Sequence, residues 1–159
     1  MTTTKLLLGC LFGLFIFGLC VLTFCTSGCG YARHVDPPIY TYDTAKLTEL
    51  SARAHAKDPG CKLYHYDETG TNSMVPLIIP GDWVVTEITP FRDDLLGHVC
   101  VYLAQWRQGR EVMHRLVSGN ATDGFIASGD NNQYSEPTER VRPTNYVSEV
   151  VAIYRTKTS

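Results

Sequence analysis

The sequence predicts a mainly β domain, built as a small coiled sheet or barrel, that follows one N-terminal transmembrane helix. Two observations predict this arrangement. Residues 6–25 carry no charge, and from residue 61 onward short β-rich runs alternate with turns rich in Gly, Pro, Asp and Asn. Short strands at such spacing are typical of antiparallel sheets and barrels rather than of βαβ units. A length of 159 residues fits one globular domain with a terminal appendage.

The apolar stretch at residues 6–25 is the predicted membrane anchor. As a helix, a segment of this length would span about 30 Å, the thickness of the hydrocarbon core of a bilayer. Lys5 is the basic residue that precedes it, which favours residues 1–5 in the cytoplasm and the domain on the extracytoplasmic side. The alternative is a lipoprotein signal, because the small residues Ser27 and Gly28 precede Cys29. Both alternatives tether the domain to membrane lipid.

Residues 26–60 are predicted to form a linker and a short helix. Residues 26–42 are rich in Gly, Pro, Ser, Thr and Tyr, which is typical of a linker. Asp43 is a candidate N-cap for a helix that ends near Lys57, since Leu47 and Leu50 have helical spacing and an Asp-Pro-Gly sequence follows. We expect this helix to pack against the domain.

The remaining residues, 61–159, form the predicted catalytic domain. Its expected strands lie at residues 62–66, 83–88, 98–105, 111–117, 125–127 and 146–155.

Charge and cysteine content exclude several classes of function. A formal net charge of -2 gives no electrostatic reason to expect a nucleic-acid partner. Within the predicted domain the cysteines are Cys61 and Cys100, and the sequence leaves open whether they pair. No Cys or His spacing indicates a metal site, and no cofactor is expected.

The candidate chemistry centres on Ser73, because a serine hydroxyl becomes a nucleophile when a neighbouring base takes its proton. Lys157 lies close to the C-terminus, and Lys62 belongs to no motif that would place it at the hydroxyl. The histidines that follow the serine are His98 and His114. His114 lies in an apolar run, where a polar side chain indicates a structural or functional role. A neutral imidazole can accept the serine proton and return it to a leaving amine.

Four short motifs occur in a fixed order with suitable gaps. They are Ser73-Met74-x-Pro76, Gly81-Asp82-x-Val84, His114-Arg115-Leu116-Val117 and Gly129-Asp130-Asn131-Asn132. Together they resemble the box series of type I signal peptidases, in the clan that also contains LexA-type repressors. Bacterial members usually have Lys where His114 stands, whereas archaeal and endoplasmic-reticulum-type members have His.

The resemblance implies a role for each matching residue. Ser73 corresponds to the nucleophile and His114 to its general base. The backbone N–H of Ser73 and the hydroxyl of Thr71 correspond to the oxyanion hole. Met74 and Pro76, from the first box, are assigned to substrate binding.

The sequence leaves open which of two carboxylates is the third member of the catalytic site. Asp130 matches the acidic residue of the fourth box and is a candidate to orient the imidazole, although a turn aspartate often binds only nearby backbone. His-type members usually carry a second Asp about six residues later, where this chain has Glu136. A further departure is Asn72, which stands where the family usually has Gly.

The sequence therefore predicts a single-pass serine endopeptidase that cleaves signal peptides or similar secreted precursors after small residues. Two alternatives share its fold. One is a membrane-tethered binding module that has lost activity, which the departures at Asn72 and Glu136 keep open. The other is a LexA-like self-processing peptidase, which is disfavoured because the apolar N-terminus leaves no room for a DNA-binding domain. A lipoprotein with a purely structural β domain is a further alternative.

Overall fold

The computed structural model describes residues 32–67, 71–132 and 140–157. These residues belong to one compact unit that begins at Ala32. The predicted anchor at residues 6–25 lies outside the described residues, as do Glu136 and the lipoprotein motif at residues 27–29. Among the residues that the structure does describe, no helix is both long and apolar enough to cross a membrane.

The fold is mainly β, as predicted, with eight strands in one sheet. The strands are β1 (Ile39–Tyr42), β2 (Cys61–His65), β3 (Trp83–Glu87), β4 (Val99–Ala104), β5 (Arg110–Asn120), β6 (Gly124–Ser128), β7 (Arg140–Val141) and β8 (Tyr146–Thr156). One α-helix, α1 (Ala45–His55), accompanies them in the described part of the chain.

The long strand β8 lies at the centre of the sheet. The strand order is β2-β3-β8-β4-β5-β6-β7, and every pairing along it is antiparallel. Strand β1 lies off this path and pairs with β8 in parallel, with Ile39 opposite Ile153. The sheet is not closed, because no pairing among the described strands joins β2 to β7. The barrel alternative is therefore wrong, and the mainly β fold is an open sheet.

The segment expected to be a linker contributes strand β1 instead. Helix α1 begins one residue later than predicted, because Thr44 rather than Asp43 is the N-cap and its Oγ1 accepts a hydrogen bond from the N–H of Leu47 at 3.3 Å. The helix buries Thr48 and Ala52.

The predicted apolar face of helix α1 is not its packed face, since Leu47 and Leu50 are each 50% exposed. The packed face instead carries Thr48 and Ala52. The hydroxyl of Thr48 donates to the carbonyl of Thr44 at 2.9 Å and lies 3.0 Å from the hydroxyl of Thr156 on β8. Ala52 is fully buried in a core cluster with Val85, Ala152 and Tyr154.

Two regions of the core hold the parts of the candidate site. The first packs Tyr102 of β4 against Leu116 of β5 and Phe125 of β6. The second packs Met74 and Ile78 against strands β3 and β8. Because burying one such side chain contributes about 1.5–3 kcal/mol, each end of the site is anchored by several kcal/mol of apolar burial.

The two cysteines of the described domain, Cys61 and Cys100, are both free thiols. Cys100 is fully buried on β4, and burial raises its pKa. The pairing that the sequence left open is therefore not formed.

Candidate active site

The predicted nucleophile lies in a tight turn that is held from two sides. Ser73 is the middle residue of the 3-10 turn Asn72–Met74. The next side chain, Met74, is 2% exposed and anchors the turn in the core. From the opposite side, the backbone N–H of Asn131 donates to the carbonyl of Ser73 at 2.8 Å. The amide side chain of Asn131 also donates to the carbonyl of Asn72 at 3.1 Å.

Gly129 allows this close approach between the two turns. A Cβ atom at this position would lie 2.5 Å from the carbonyl oxygen of Ser73 and 2.8 Å from its Cβ. Any side chain larger than hydrogen would therefore displace the serine. The Gly-Asp-Asn-Asn motif thus supports the nucleophile by packing and by backbone hydrogen bonding.

The structure brings Ser73 and His114 together, although they are far apart in sequence. The hydroxyl oxygen of Ser73 lies 3.2 Å from Nε2 of His114, which is within hydrogen-bonding distance. The imidazole is on β5 and is 3% exposed. Burial lowers its pKa to about 4; the negative charge of Asp130 opposes this shift, and the positive charge of Arg107 adds to it. The imidazole is therefore neutral near pH 7 and able to accept a proton.

A chain of hydroxyl groups extends from both sides of this pair. The hydroxyl of Thr71 donates to the Ser73 oxygen at 3.1 Å. On the far side, the hydroxyl of Tyr102 lies 3.5 Å from Nδ1 of His114. This network fits the tautomer with its proton on Nδ1, which leaves the lone pair of Nε2 facing the serine hydroxyl.

The carboxylate of Asp130 forms an ion pair with Arg115 rather than a hydrogen bond with the imidazole. Its two carboxylate oxygens accept hydrogen bonds from Nε of Arg115 at 2.8 Å and from Nη2 at 2.7 Å. Arg115 is 1% exposed, so its charge requires a buried partner. Among the described contacts Asp130 acts on His114 through its charge and not through a hydrogen bond. The other candidate carboxylate, Glu136, lies outside the described residues.

The dyad opens into a cleft of about 530 Å³. Its walls include Thr71, Ser73, Met74 and His114, together with side chains from β2, β3 and β5. Met74 therefore lies where substrate contact was expected. Pro76 is solvent-exposed and is not among the residues that line the cleft.

Two strand edges flank the cleft. Strand β2 pairs on one side with β3, and Tyr64 from β2 lines the cleft. Strand β5 pairs with β4 from Arg110 to Arg115 but with β6 only from Arg115 onward. Within the described residues, the outer edge of β2 and the edge of β5 that precedes Arg115 are therefore both unpaired. An extended peptide adds to edges of this kind through its backbone.

The other bases considered from the sequence are engaged elsewhere. Lys62 donates to Glu111 at 3.2 Å, and Lys157 donates to Asp43 at 2.8 Å. His98 places Nδ1 2.5 Å from a carboxylate oxygen of Glu149. No cluster of potential metal ligands occurs among the residues that the structure describes.

Sequence reasoning missed Tyr102 and the specific role of Asn131. Tyr102 reaches the imidazole because β4 and β5 pair with Cys100 opposite His114, and no local pattern reveals that register. Asn131 lies in a motif that was recognised, but its contact with the carbonyl of Ser73 depends on the meeting of two distant turns.

Comparison with known proteins adds no further assignment. No protein-family model matches the chain, and no curated protein or solved structure matches it either. The resemblance to signal peptidases therefore rests on the four sequence motifs.

Proposed function

We propose that this protein is a membrane-anchored serine endopeptidase that cleaves signal peptides or similar secreted precursors after small residues. The observation that carries the proposal is the 3.2 Å separation between the Ser73 oxygen and Nε2 of His114 at the wall of the cleft. A buried, neutral imidazole next to a serine hydroxyl is the arrangement that nucleophilic acyl transfer requires.

The proposed reaction proceeds through an acyl-enzyme. Nε2 of His114 takes the hydroxyl proton while the Ser73 oxygen attacks the scissile carbonyl carbon. The same nitrogen then protonates the leaving amine as the peptide bond breaks. Water repeats the sequence on the ester and releases Ser73. The backbone N–H of Ser73 and the hydroxyl of Thr71, which lies 3.1 Å from the serine oxygen, are the proposed donors to the oxyanion.

Two features support a peptide in extended conformation as the substrate. The unpaired edges of β2 and β5 flank the cleft, and a substrate strand would gain backbone hydrogen bonds from them. The cleft wall is largely apolar, with Met74, Ile78 and Val101 among its side chains. Such a wall suits small apolar side chains near the scissile bond.

Tethering supports a substrate at the membrane surface. The proposed anchor at residues 6–25 would hold the protein at the membrane surface, where signal peptides are presented. A tethered enzyme needs only a local encounter with such a substrate.

The decisive experiment is cleavage of a model precursor by the full-length protein in detergent. We expect the wild type to cleave it and Ser73→Ala and His114→Ala to lose nearly all turnover with the fold intact. Ser118→Ala is the matched control, because Ser118 is an exposed serine on the same strand as His114. If the wild type cleaves no precursor in a broad panel, or if the dyad variants cleave as well as the control, the enzyme is excluded and the tethered binding module takes its place.

A further inference from the structure

Arg115 lies next to the proposed dyad, and each N–H donor of its side chain has an acceptor. It is 1% exposed, and a guanidinium group carries five N–H donors. Two of them bind the carboxylate of Asp130. Nη1 donates to the carbonyl of Gly97 at 2.8 Å and to that of Val35 at 3.2 Å. Nη2 donates to Oδ1 of Asp36 at 2.7 Å. Two of the five acceptors therefore come from the segment that precedes the first strand.

This segment, residues 33–36, is referred to below as the strap. Its Val35 N–H donates to the carbonyl of Gly97 at 3.1 Å. Gly97 has φ +90°, and a Cβ atom at that position would lie 2.1 Å from the carbonyl oxygen of Arg33. Only glycine fits both the backbone conformation and the close approach. The strap therefore lies directly against the turn that leads into β4.

Arg115 connects the strap to both members of the dyad. It follows His114 on β5, so a shift of its backbone moves the imidazole. It also holds Asp130, which precedes Asn131, the residue that donates to the carbonyl of Ser73. Loss of the strap would leave two buried N–H donors without acceptors, and such groups tend to find new partners by moving. The nearest parts that would move are the backbone of β5 at His114 and the turn at Asp130 and Asn131, which holds Ser73.

We infer that Asp36 is a positioning residue for the dyad, so that the strap completes the active site through Arg115 and not through any described hydrogen bond to Ser73 or His114. The inference rests on the proposed function. It extends the functional site to the chain segment that enters the domain from the N-terminal side. Truncation at the start of β1 would then remove part of the active site.

The test compares Asp36→Ala with Asp36→Asn and with Asp43→Ala in the full-length chain. Asp43 is the matched control, because it is also an exposed aspartate that pairs with a cation, Lys157, on the N-terminal side of the domain. We expect Asp36→Ala to lower kcat for precursor cleavage by about tenfold or more with little change in KM, since small displacements of catalytic groups have effects of that order. Asp36→Asn keeps an acceptor oxygen and is expected to recover most of the activity.

A second readout separates this inference from the proposed function. The imidazole proton resonances of His114, assigned by comparison with His114→Gln, are expected to shift in Asp36→Ala and to stay in place in Asp43→Ala. This result would support the inference that the strap positions His114 even if the wild type cleaved no precursor. In that case only the proposed function fails. Equal behaviour of Asp36→Ala and Asp43→Ala in the resonances and, where the wild type is active, in kcat would overturn the inference.

Discussion

Protonation of the buried His114 is expected to weaken the fold as the pH falls. Burial lowers the pKa of this imidazole from its ordinary 6.5 to about 4 in the folded protein. Between these two values the unfolded chain binds a proton that the folded chain does not, so stability decreases as the pH is lowered through this window. Above the ordinary value both states are neutral and the contribution vanishes. A difference of about 2.5 pH units, at about 1.4 kcal/mol each, corresponds to a loss of about 3–4 kcal/mol once the pH is below both values.

The measurement is urea unfolding of the full-length protein in detergent, followed by tryptophan fluorescence at about pH 7 and about pH 4.5. His114→Gln is the reference, because it keeps a polar side chain of similar size and removes the titration. Other titrating groups are shared by the two proteins and cancel in the difference. We expect the wild type to lose roughly 2–3 kcal/mol more than His114→Gln between the two pH values. An equal loss in both proteins would refute the reasoning, as would an imidazole that titrates near its ordinary pKa in the folded state.

Two further predictions concern the packing of Gly129 against the nucleophile and the buried ion pair of Asp82. Gly129→Ala is expected to reduce precursor cleavage by about tenfold or more, since the new methyl group would collide with Ser73. Ser118→Ala, the exposed control on β5, is again the comparison, and equal activity of Gly129→Ala and Ser118→Ala would count against the packing argument. Asp82 is 1% exposed and accepts two hydrogen bonds from Arg155, so Asp82→Asn is expected to lower the free energy of unfolding by about 3 kcal/mol. Urea unfolding of the variant measures this loss, and a change below about 1 kcal/mol would show that the ion pair contributes little.

Sequence patterns predicted the strands that carry their own local signals. Alternating β-branched residues and bounding turns located β2 to β6 and β8 to within a few residues. The two missed strands, β1 and β7, are short, and both depend on distant partners. Ile39 pairs with Ile153, and Val141 pairs with Phe125. The two residues of β7 carry no strand pattern of their own, whereas the β-forming run Ile39–Tyr42 lies in a segment whose Gly, Pro and Ser content favoured a linker.

The candidate site was predictable where several ordered motifs together resemble a known family. Taken singly, Ser73 would be a turn serine and His114 a structural histidine on a strand, and only the four motifs in order single them out as a pair. The structure brings the two side chains within hydrogen-bonding distance. The partner of Asp130 was not predictable, because the competition for its carboxylate is decided by burial. Arg115 is fully buried and needs a counter-charge, which Asp130 supplies. The two residues belong to different motifs, 15 positions apart, and the sequence does not show that they meet.

The surroundings of His114 favour a base that stays neutral over one that is easily charged. A carboxylate bonded to Nδ1 would raise the pKa of the imidazole and stabilise its charged form. The described partner of Nδ1 is instead the hydroxyl of Tyr102, which can fix the ring and its tautomer but supplies no negative charge. Asp130 supplies that charge from a distance, while both of its carboxylate oxygens accept hydrogen bonds from Arg115. A base with a lower pKa accepts a proton less readily, but it remains available in mildly acidic solution. It follows that activity, if the proposed function is correct, should persist below pH 6.5 and decline only as the pH approaches about 4.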